Sequence, residues 1–215
     1  IHSGIINLGI NNILVPEEHG GLGLDLLFAA AISQSIGEAV APLPYCGSYV
    51  MAPIAIQIGA SKLQKENIFN EMSSGNTKFG IAFSEYFGSR DSSSINFSNE
   101  KINGKTIFAI DCDYATDVLV SDASGKIGIV SIEDKNIEIV DLITVDKTRT
   151  YKEIKFSNAN VEILANTKNS TDGIEKALDA GRIVTAADTL GASQAMLDKA
   201  VSYSKERKQF NRVIG

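Results

Sequence analysis

The sequence predicts an α+β protein in three parts: a helical N-terminal domain, a middle β domain and the start of a C-terminal helical bundle. Three changes of pattern along the chain indicate this order. Capped helical segments and all four prolines fall in residues 1–78, short β-branched runs fill residues 79–166, and one long apolar stripe at helical spacing occupies residues 167–215. We take these ranges as the three domains and predict a β barrel or sandwich for the middle one.

Two helices of the first domain carry start and stop signals. Asp25 is placed to cap a helix that ends at Gly37. Ser61 and Gln64 have the spacing of a capping box, and Gly75 stands where the end of that helix favours left-handed backbone. These signals predict two bounded helices in the N-terminal domain.

Six short runs in the middle domain are rich in β-branched and aromatic residues, which favours strands. The runs are 81–83, 106–110, 118–120, 127–130, 137–140 and 153–156. Turn residues separate them, and we predict turns at Asn103-Gly104 and at Ser124-Gly125.

The last domain is predicted to be one helix over residues 173–207, about 50 Å long, with Asp172 and Glu175 as its start signal. Small residues on its surface allow another backbone to come close. They are Ala177, Ala180, Gly181, Ala187, Gly191 and Ala195. Such a helix needs partner helices. Because the chain begins at Ile1 and stops at Gly215 without a polar tail, we expect both ends to be truncated and the partners to come from absent sequence or from a second chain.

The composition excludes several classes of protein. A hydrophobic fraction of 44% argues against a disordered chain, and a net charge of −6 argues against a general nucleic-acid surface. The longest apolar run, residues 26–32, is too short to span a membrane. Two cysteines are too few for a disulfide framework. A signal peptide begins with a positively charged region, and no Lys or Arg precedes Lys62, so the sequence argues against a signal peptide. We expect a cytoplasmic protein.

Side chains alone supply little chemistry. His2 and His19 do not lie at ligand spacing from either cysteine, and the calcium-loop pattern that starts at Asp111 and Asp113 is interrupted by Ala115. We find no plausible pairing of a general-base histidine with a serine or cysteine nucleophile. We therefore predict no metal site and expect a borrowed cofactor.

Five segments in order along the chain resemble sequence words of the acyl-CoA dehydrogenase family. The flavin-contacting word of that family is similar to residues 82–91, and an Asp-x-Thr-Arg pattern found in one bacterial branch is similar to residues 146–149. The segments are 15–23, 82–91, 102–105 with 115–120, 146–149 and 203–210. On this resemblance the chain is identified as a member of that family, spanning its ordered N-terminal two-thirds.

The resemblance implies a flavoprotein that acts on an acyl-CoA thioester. In the family reaction a glutamate removes the α proton while a hydride passes from the β carbon to FAD. The family assembles as dimers or tetramers, and FAD lies between the middle and C-terminal domains with a neighbouring subunit completing its site. An electron-transfer flavoprotein is the implied electron acceptor.

Four residues match positions along the flavin ring. Phe83 and Ser84 fall where the family lays backbone and a hydroxyl against the ring, and Phe108 falls where a stacking Trp is common. Ile110 falls where many members have a Thr that hydrogen-bonds the flavin, a bond that Ile cannot make.

Three residues near the end of the chain, Arg207, Gln209 and Phe210, match the segment that reaches the FAD of the adjacent subunit. Because half of the flavin cradle is absent from the chain, we expect it to hold FAD weakly or not at all.

For the substrate, Ser89 matches a family serine that contacts acyl-CoA, although an ungapped match places Arg90 there. Asp179 and Arg182 match positions near the CoA thioester. Gly181 matches the position where some members carry the catalytic glutamate, and others carry it beyond the point that matches Gly215. The resemblance therefore implies no catalytic residue in this chain, which we expect to be inactive alone.

Two alternatives remain open. The chain could belong to a non-catalytic subunit of a mixed assembly of the same family, because Ile110, Gly181, Tyr86 and Arg90 depart from the family pattern. It could instead be a binding or scaffold module without flavin, because the small-residue face of its last helix requires a partner.

Overall fold

A computed structural model describes residues 4, 6, 8–87, 95–166 and 170–215, with only the backbone at position 87. The helices are α1 (Leu26–Glu38), α2 (Ala52–Gly59), α3 (Lys62–Ser73) and α4 (Ser170–Glu206), and a π-helical segment, Tyr45–Met51, leads directly into α2. In the part of the chain thus described, no helix is long and apolar enough to cross a bilayer.

The middle region contributes eight strands, and a short hairpin follows α4. The strands are β1 (Phe79–Ala82), β2 (Asn96–Ser98), β3 (Lys101–Ile110), β4 (Asp117–Ser121), β5 (Ile127–Ser131), β6 (Ile137–Leu142), β7 (Tyr151–Asn160), β8 (Glu162–Ile163), β9 (Lys208–Gln209) and β10 (Arg212–Val213). The predicted order of a helical part, a β part and a long helix is confirmed.

The predicted signals of α1 and α3 are confirmed, whereas α4 begins at Ser170, before the predicted start signal at Asp172. Oδ1 of Asp25 accepts hydrogen bonds from the amides of Leu27 and Phe28, at 3.0 and 3.3 Å, at the start of α1. Ser61 and Gln64 form the reciprocal capping box of α3. After α3, Gly75 has a φ of 78°, so it takes the left-handed conformation that ends the helix.

The strands β1 to β8 form one sheet in the order β6-β7-β3-β1-β4-β5-β8, with β2 paired to β3 outside this path. Every predicted run overlaps one of these strands. Of the two predicted forms the barrel is wrong, because the described strands leave β6 and β8 as two separate edges. The sheet does curl, since a Cβ at Gly128 of β5 would lie 3.0 Å from the ring of Phe97 in β2. Because β8 has only two residues, that edge offers too few backbone groups to close on β6.

One predicted turn is wrong. Asn103 and Gly104 lie inside β3, where the pairing with β7 shifts register between Ile102 and Asn103. The reversal between β2 and β3 is made by Asn99 and Glu100, whose φ angles of 51° and 57° give the paired left-handed conformation of a tight hairpin turn. At Ser124-Gly125 the predicted turn is confirmed, between β4 and β5.

The long helix α4 packs its first half against α1, α2 and the π-helical segment. A Cβ at Gly37 of α1 would overlap the carbonyl oxygen of Asp188, and a Cβ at Gly191 of α4 would overlap the carbonyl oxygen of Gln34. Two backbones are therefore in direct contact, as the small residues of α4 predict. The crossing is further held by the hydroxyl of Ser33, which donates to the carbonyl oxygen of Val184 at 2.7 Å.

The second half of α4 presents apolar side chains to the exterior. Large exposed side chains there are Leu190, Met196, Leu197, Val201 and Tyr203. The helices described in this chain leave this face uncovered, so the expectation of further partner helices remains a prediction.

Candidate functional site

The segment that follows β1 joins the helical core to the sheet. The Phe83 side chain is buried, so only its backbone is available to a ligand. The next side chain, Ser84, is partly exposed, and its hydroxyl lies 2.9 Å from the hydroxyl of Thr106, which is buried in β3. Two neighbouring hydroxyls therefore mark the place where β1 ends beside β3.

Glu85 is a buried carboxylate in the same segment. It is only 4% exposed, and its Oε1 has no hydrogen-bond partner among the residues that the structure describes. A buried carboxylate oxygen without a donor is costly, because its lost hydration is not replaced. Glu85 follows the candidate Ser84 in the segment that resembles the flavin-contacting word, and its burial is seen only in the folded chain.

Phe108 combines strain with exposure. It lies in β3 where the pairing with β7 shifts register between Thr106 and Ala109, its φ is 58°, and 57% of the residue is exposed. An aromatic residue in left-handed backbone is rare and costs on the order of 1–2 kcal/mol. Exposure of the ring means that core packing does not compensate this cost. A strained aromatic with an open face indicates a binding surface.

Ile110, at the end of β3, is turned towards the interior. It pairs with Ile81 of β1 and packs against the large apolar core that includes the helices. Its side chain has no hydrogen-bonding group, so it packs against the core at the position where many family members have a Thr that hydrogen-bonds the flavin.

Asp111 follows in left-handed backbone and reaches the π-helical segment, which sequence reasoning missed. Its Oδ2 accepts hydrogen bonds from the amides of Gly47, at 2.6 Å, and Ser48, at 3.3 Å. Burial raises the pKa of the Asp111 carboxyl to about 6, although these amides and the charge of Arg149 favour the ionised form. In the sequence, Asp111 stands out only as the start of an interrupted calcium-loop pattern. Its backbone partners Gly47 and Ser48 are distant along the chain, so no local pattern predicts this contact.

Polar groups also line the outer face of the first turns of α4. The Tyr86 hydroxyl donates to Glu175 at 2.7 Å, which ties the segment after β1 to α4. One turn further along, Arg182 donates to Asp179 at 2.6 Å, and both side chains are exposed. The two residues predicted to lie near a thioester are therefore paired with each other on an accessible face.

Gly181 has no space for a larger side chain in this structure. A Cβ there would lie 2.9 Å from the sulfur of Met51 and 3.6 Å from that of Cys46. A glutamate at position 181 would have to displace both side chains.

The predicted residues at the end of the chain lie far from the others. Phe210 stands in the turn between β9 and β10 with a φ of 50°, and 99% of it is exposed. Arg207 and Gln209 flank it and are exposed too. Glu175 of α4 contacts Tyr86 in the segment after β1. At 1.5 Å per residue, Arg207 lies about 48 Å further along the helix axis than Glu175.

The structure thus joins Ser84 to Thr106, which precedes Phe108 by two residues in β3, and separates this segment from the group at 207–210. The predicted contact residue Ser89 lies outside the described residues.

Comparison with known proteins gives the family. The model of the acyl-CoA dehydrogenase N-terminal domain matches residues 1–76, and that of the acyl-CoA dehydrogenase C-terminal domain matches residues 171–215. The two matches together cover more than half of the chain. The chain belongs to the acyl-CoA dehydrogenase family.

Curated relatives extend the similarity through the middle domain. The chain is 31% identical to a probable acyl-CoA dehydrogenase of Bacillus subtilis, with 96% of the chain and 60% of the relative aligned. It is 29% identical to a 3-(aryl)acrylate reductase of Clostridium sporogenes, again over 96% of the chain and 60% of the relative. The chain therefore spans about 60% of the length of these relatives.

Solved structures of the family share the fold. Butyryl-CoA dehydrogenase from Megasphaera elsdenii superposes with a TM-score of 0.82 at 20% identity, covering 98% of this chain and 62% of that one. The ChsE4–ChsE5 complex from Mycobacterium tuberculosis gives a TM-score of 0.80 at 22% identity, covering 99% and 59%. At these identities the likeness supports the fold alone.

Proposed function

We propose that this chain forms the flavin-facing part of an FAD-dependent dehydrogenase that acts on CoA thioesters. Family membership supports the reaction class, and Phe108 is the observation that carries the placement of the flavin. Its exposed ring in left-handed backbone is strained without a packing benefit, and a planar aromatic cofactor stacked on it would supply one.

The surrounding residues fit a flavin ring. Such a ring has two apolar faces and a polar edge, so its site needs a flat aromatic surface beside hydrogen-bonding groups. Phe108 offers the surface, and the partly exposed Ser84, whose hydroxyl lies 2.9 Å from that of Thr106 in the strand that carries Phe108, offers a hydrogen-bonding group.

The chain's own groups would bind and orient rather than transfer protons. When bound, FAD supplies the hydride acceptor. Ser84 would hold the polar edge of the ring, Phe108 one of its faces, and Asp179 and Arg182 the polar part of a thioester substrate that lies along α4. In this chain Gly181 supplies no proton acceptor, so we expect thioester binding without turnover.

The distance along α4 supports an oligomer. Arg207 lies about 48 Å along α4 from Glu175, and Gln209 and Phe210 follow it in the hairpin, so these residues would serve the flavin site of a neighbouring subunit. We propose a dimer or tetramer, with an electron-transfer flavoprotein as acceptor for the reduced protein. One chain alone is expected to bind FAD weakly.

Two titrations test this function. Isothermal calorimetry of the chain with FAD, and then with butanoyl-CoA at saturating FAD, should show weak FAD binding and a thioester affinity that rises when FAD is present. Butanoyl-CoA should not bleach the visible absorbance of the flavin, because the proton acceptor is missing. Absence of both FAD and thioester binding at millimolar ligand would refute the proposal.

A second function is favoured by Ile110 and Gly181. Ile110 offers no hydrogen bond to a flavin. Met51 fills the space that a side chain at position 181 would need. These features suit a non-catalytic subunit that supports a catalytic partner of the same family. If a longer form of the protein that contains this chain turns over an acyl-CoA by itself, this alternative fails.

Replacing Phe108 by glycine separates stability from cofactor binding. We expect Phe108→Gly to raise the free energy of unfolding by about 0.5–1 kcal/mol, because glycine tolerates left-handed backbone and the exposed ring loses little packing. FAD binding should weaken at least tenfold at the same time. Urea unfolding and calorimetry check the two effects, and Tyr114→Gly, another exposed aromatic, serves as the control that leaves FAD binding unchanged. A destabilised Phe108→Gly variant would contradict the claim that the ring is strained.

A further inference from the structure

A groove of about 820 Å³ runs along α3, on the side that faces the end of α2 and the segment after β8. Lys62, Lys65 and Asn70 all line it, so it follows about 12 Å of the helix at 1.5 Å per residue. The residues assigned above to the flavin and the thioester do not line this groove. It is therefore a separate feature of the N-terminal domain.

Contacts on both sides fix the walls of the groove. At the start of α3, the amide of Ala165 donates to Oε1 of Gln64 at 2.8 Å. At the other end, the ring of His19 lies 5.4 Å from the ring of Phe69, and the hydroxyl of Ser73 donates to the carbonyl oxygen of His19 at 2.8 Å. The segments that face α3 are thus held against it by the fold itself.

The groove carries opposite charges at its two ends. Lys62 and Lys65 line the end at the start of α3. Glu18 belongs to the other end, because its Oε1 lies 3.5 Å from Nε2 of His19, whose ring packs beside Phe69. Two lysines and two glutamates, Glu18 and Glu66, line the groove, so its formal charge is balanced while its ends differ in sign.

The charges along α3 are not paired with each other. Among the residues that the structure describes, Lys62, Lys65 and Glu66 form no ion pair, although Lys62 and Glu66 are one helical turn apart. Lys65 is also partly buried. Salt screens a partly buried charge less than an exposed one, so a ligand of opposite charge gains more beside it.

This arrangement determines the class of ligand. A simple anion would meet the glutamates as well as the lysines, and a simple cation would meet the lysines. A molecule with a negative and a positive end satisfies both halves of the groove. Phe69 marks the level of Glu18 and lies about 6 Å along α3 from Lys65 and about 10 Å from Lys62, so the two charges of the ligand should be separated by a similar distance.

We propose that this groove binds an elongated zwitterion, a small molecule with a carboxylate at one end and an ammonium group at the other. The carboxylate lies beside Lys62 and Lys65, and the ammonium group lies beside Glu18, with Glu66 adding to the negative charge around it. The side-chain amides of Gln57 and Asn70 line the same groove and offer hydrogen bonds along the ligand. The site does not depend on the proposed flavin function.

An NMR titration of the isotope-labelled chain with 6-aminohexanoate tests the site. This probe has an ammonium group and a carboxylate at opposite ends of a methylene chain. Saturable shifts should centre on the backbone amides of residues 18–19 and 61–66. Hexanoate and hexylamine each lack one charge, and the two charges of glycine are too close together to reach both ends. Each of the three should bind about fivefold more weakly, as expected for the loss of one partly exposed ion pair.

Charge-removing variants assign the two ends. Lys65→Gln should weaken the binding of 6-aminohexanoate and of hexanoate about fivefold while leaving that of hexylamine unchanged. Glu18→Gln should weaken the binding of 6-aminohexanoate and of hexylamine and leave that of hexanoate unchanged. Lys135→Gln, which removes an exposed charge outside the groove, is the control that changes none of them. Equal binding of 6-aminohexanoate and glycine, unaffected Lys65→Gln and Glu18→Gln variants, or no saturable shift at the solubility limit of 6-aminohexanoate overturns the proposal.

Discussion

Replacing Gly191 by alanine is expected to destabilise the protein by about 3 kcal/mol, although the change adds one methyl group. The methyl group would overlap the backbone oxygen of Gln34, and a backbone cannot rotate away as a side chain can. The helices α1 and α4 would have to separate, which weakens the buried Ser33–Val184 hydrogen bond and the core below it. Urea unfolding of Gly191→Ala measures the effect, and Gly37→Ala should show a similar loss.

The control is Ser193→Ala on the same helix. Its side chain is exposed and bonds only within α4, so stability should change by less than about 0.5 kcal/mol. If Gly191→Ala unfolds at the same urea concentration as the wild type, the close crossing of α1 and α4 is wrong.

Asp111 should make stability fall as the pH rises from about 4 to about 6. Its pKa is raised to about 6 in the folded protein, whereas an unfolded aspartate titrates near 3.9. Between these values the folded state holds more protons than the unfolded state, so the free energy of unfolding decreases with pH and then levels off. Asp111→Asn keeps an acceptor for the amides of Gly47 and Ser48 but cannot ionise. We expect it to be more stable than wild type by about 3 kcal/mol at pH 7, with no gain at pH 4.

Asp113 provides a control of opposite sign. Burial alone would raise its pKa, but hydrogen bonds from Lys152 and Thr150 and the charge of Lys152 hold the pKa below its usual value. Its contribution to stability is therefore lost as the pH falls, so Asp113→Asn should be less stable than wild type at neutral pH and approach it in acid. Urea unfolding across this pH range measures both variants. Parallel pH profiles for wild type and Asp111→Asn would contradict the raised pKa.

Local signals in the sequence predicted much of the fold. Asp25, Ser61 and Gly75 act within one or two turns of their own positions, so the ends of α1 and α3 could be read directly. The β-branched runs likewise located the long strands. The tight turn at Asn99 and Glu100 was missed because Asn-Gly at 103–104 is the stronger hairpin signal, and pairing with β7 overrides it.

Long-range contacts could not be predicted. The small residues of α4 indicated a close partner, but nothing in them specifies that Gly191 meets Gln34 of α1. Asp111 binds amides 63 and 64 residues away, and Arg149 binds Asp188 39 residues away. The family resemblance identified Ser84 and Phe108 as candidates, while the burial of Glu85 and the left-handed backbone of Phe108 emerged only from the folded chain.

The most direct test of the central claim is an NMR titration of the isotope-labelled chain with FAD up to millimolar concentration. If the Ser84–Phe108 face is the flavin wall, the largest shifts should fall on the amides of residues 83–86 and 106–110, and Phe108→Gly should abolish them. Shifts that centre on another surface, or none at saturating FAD, would contradict the account.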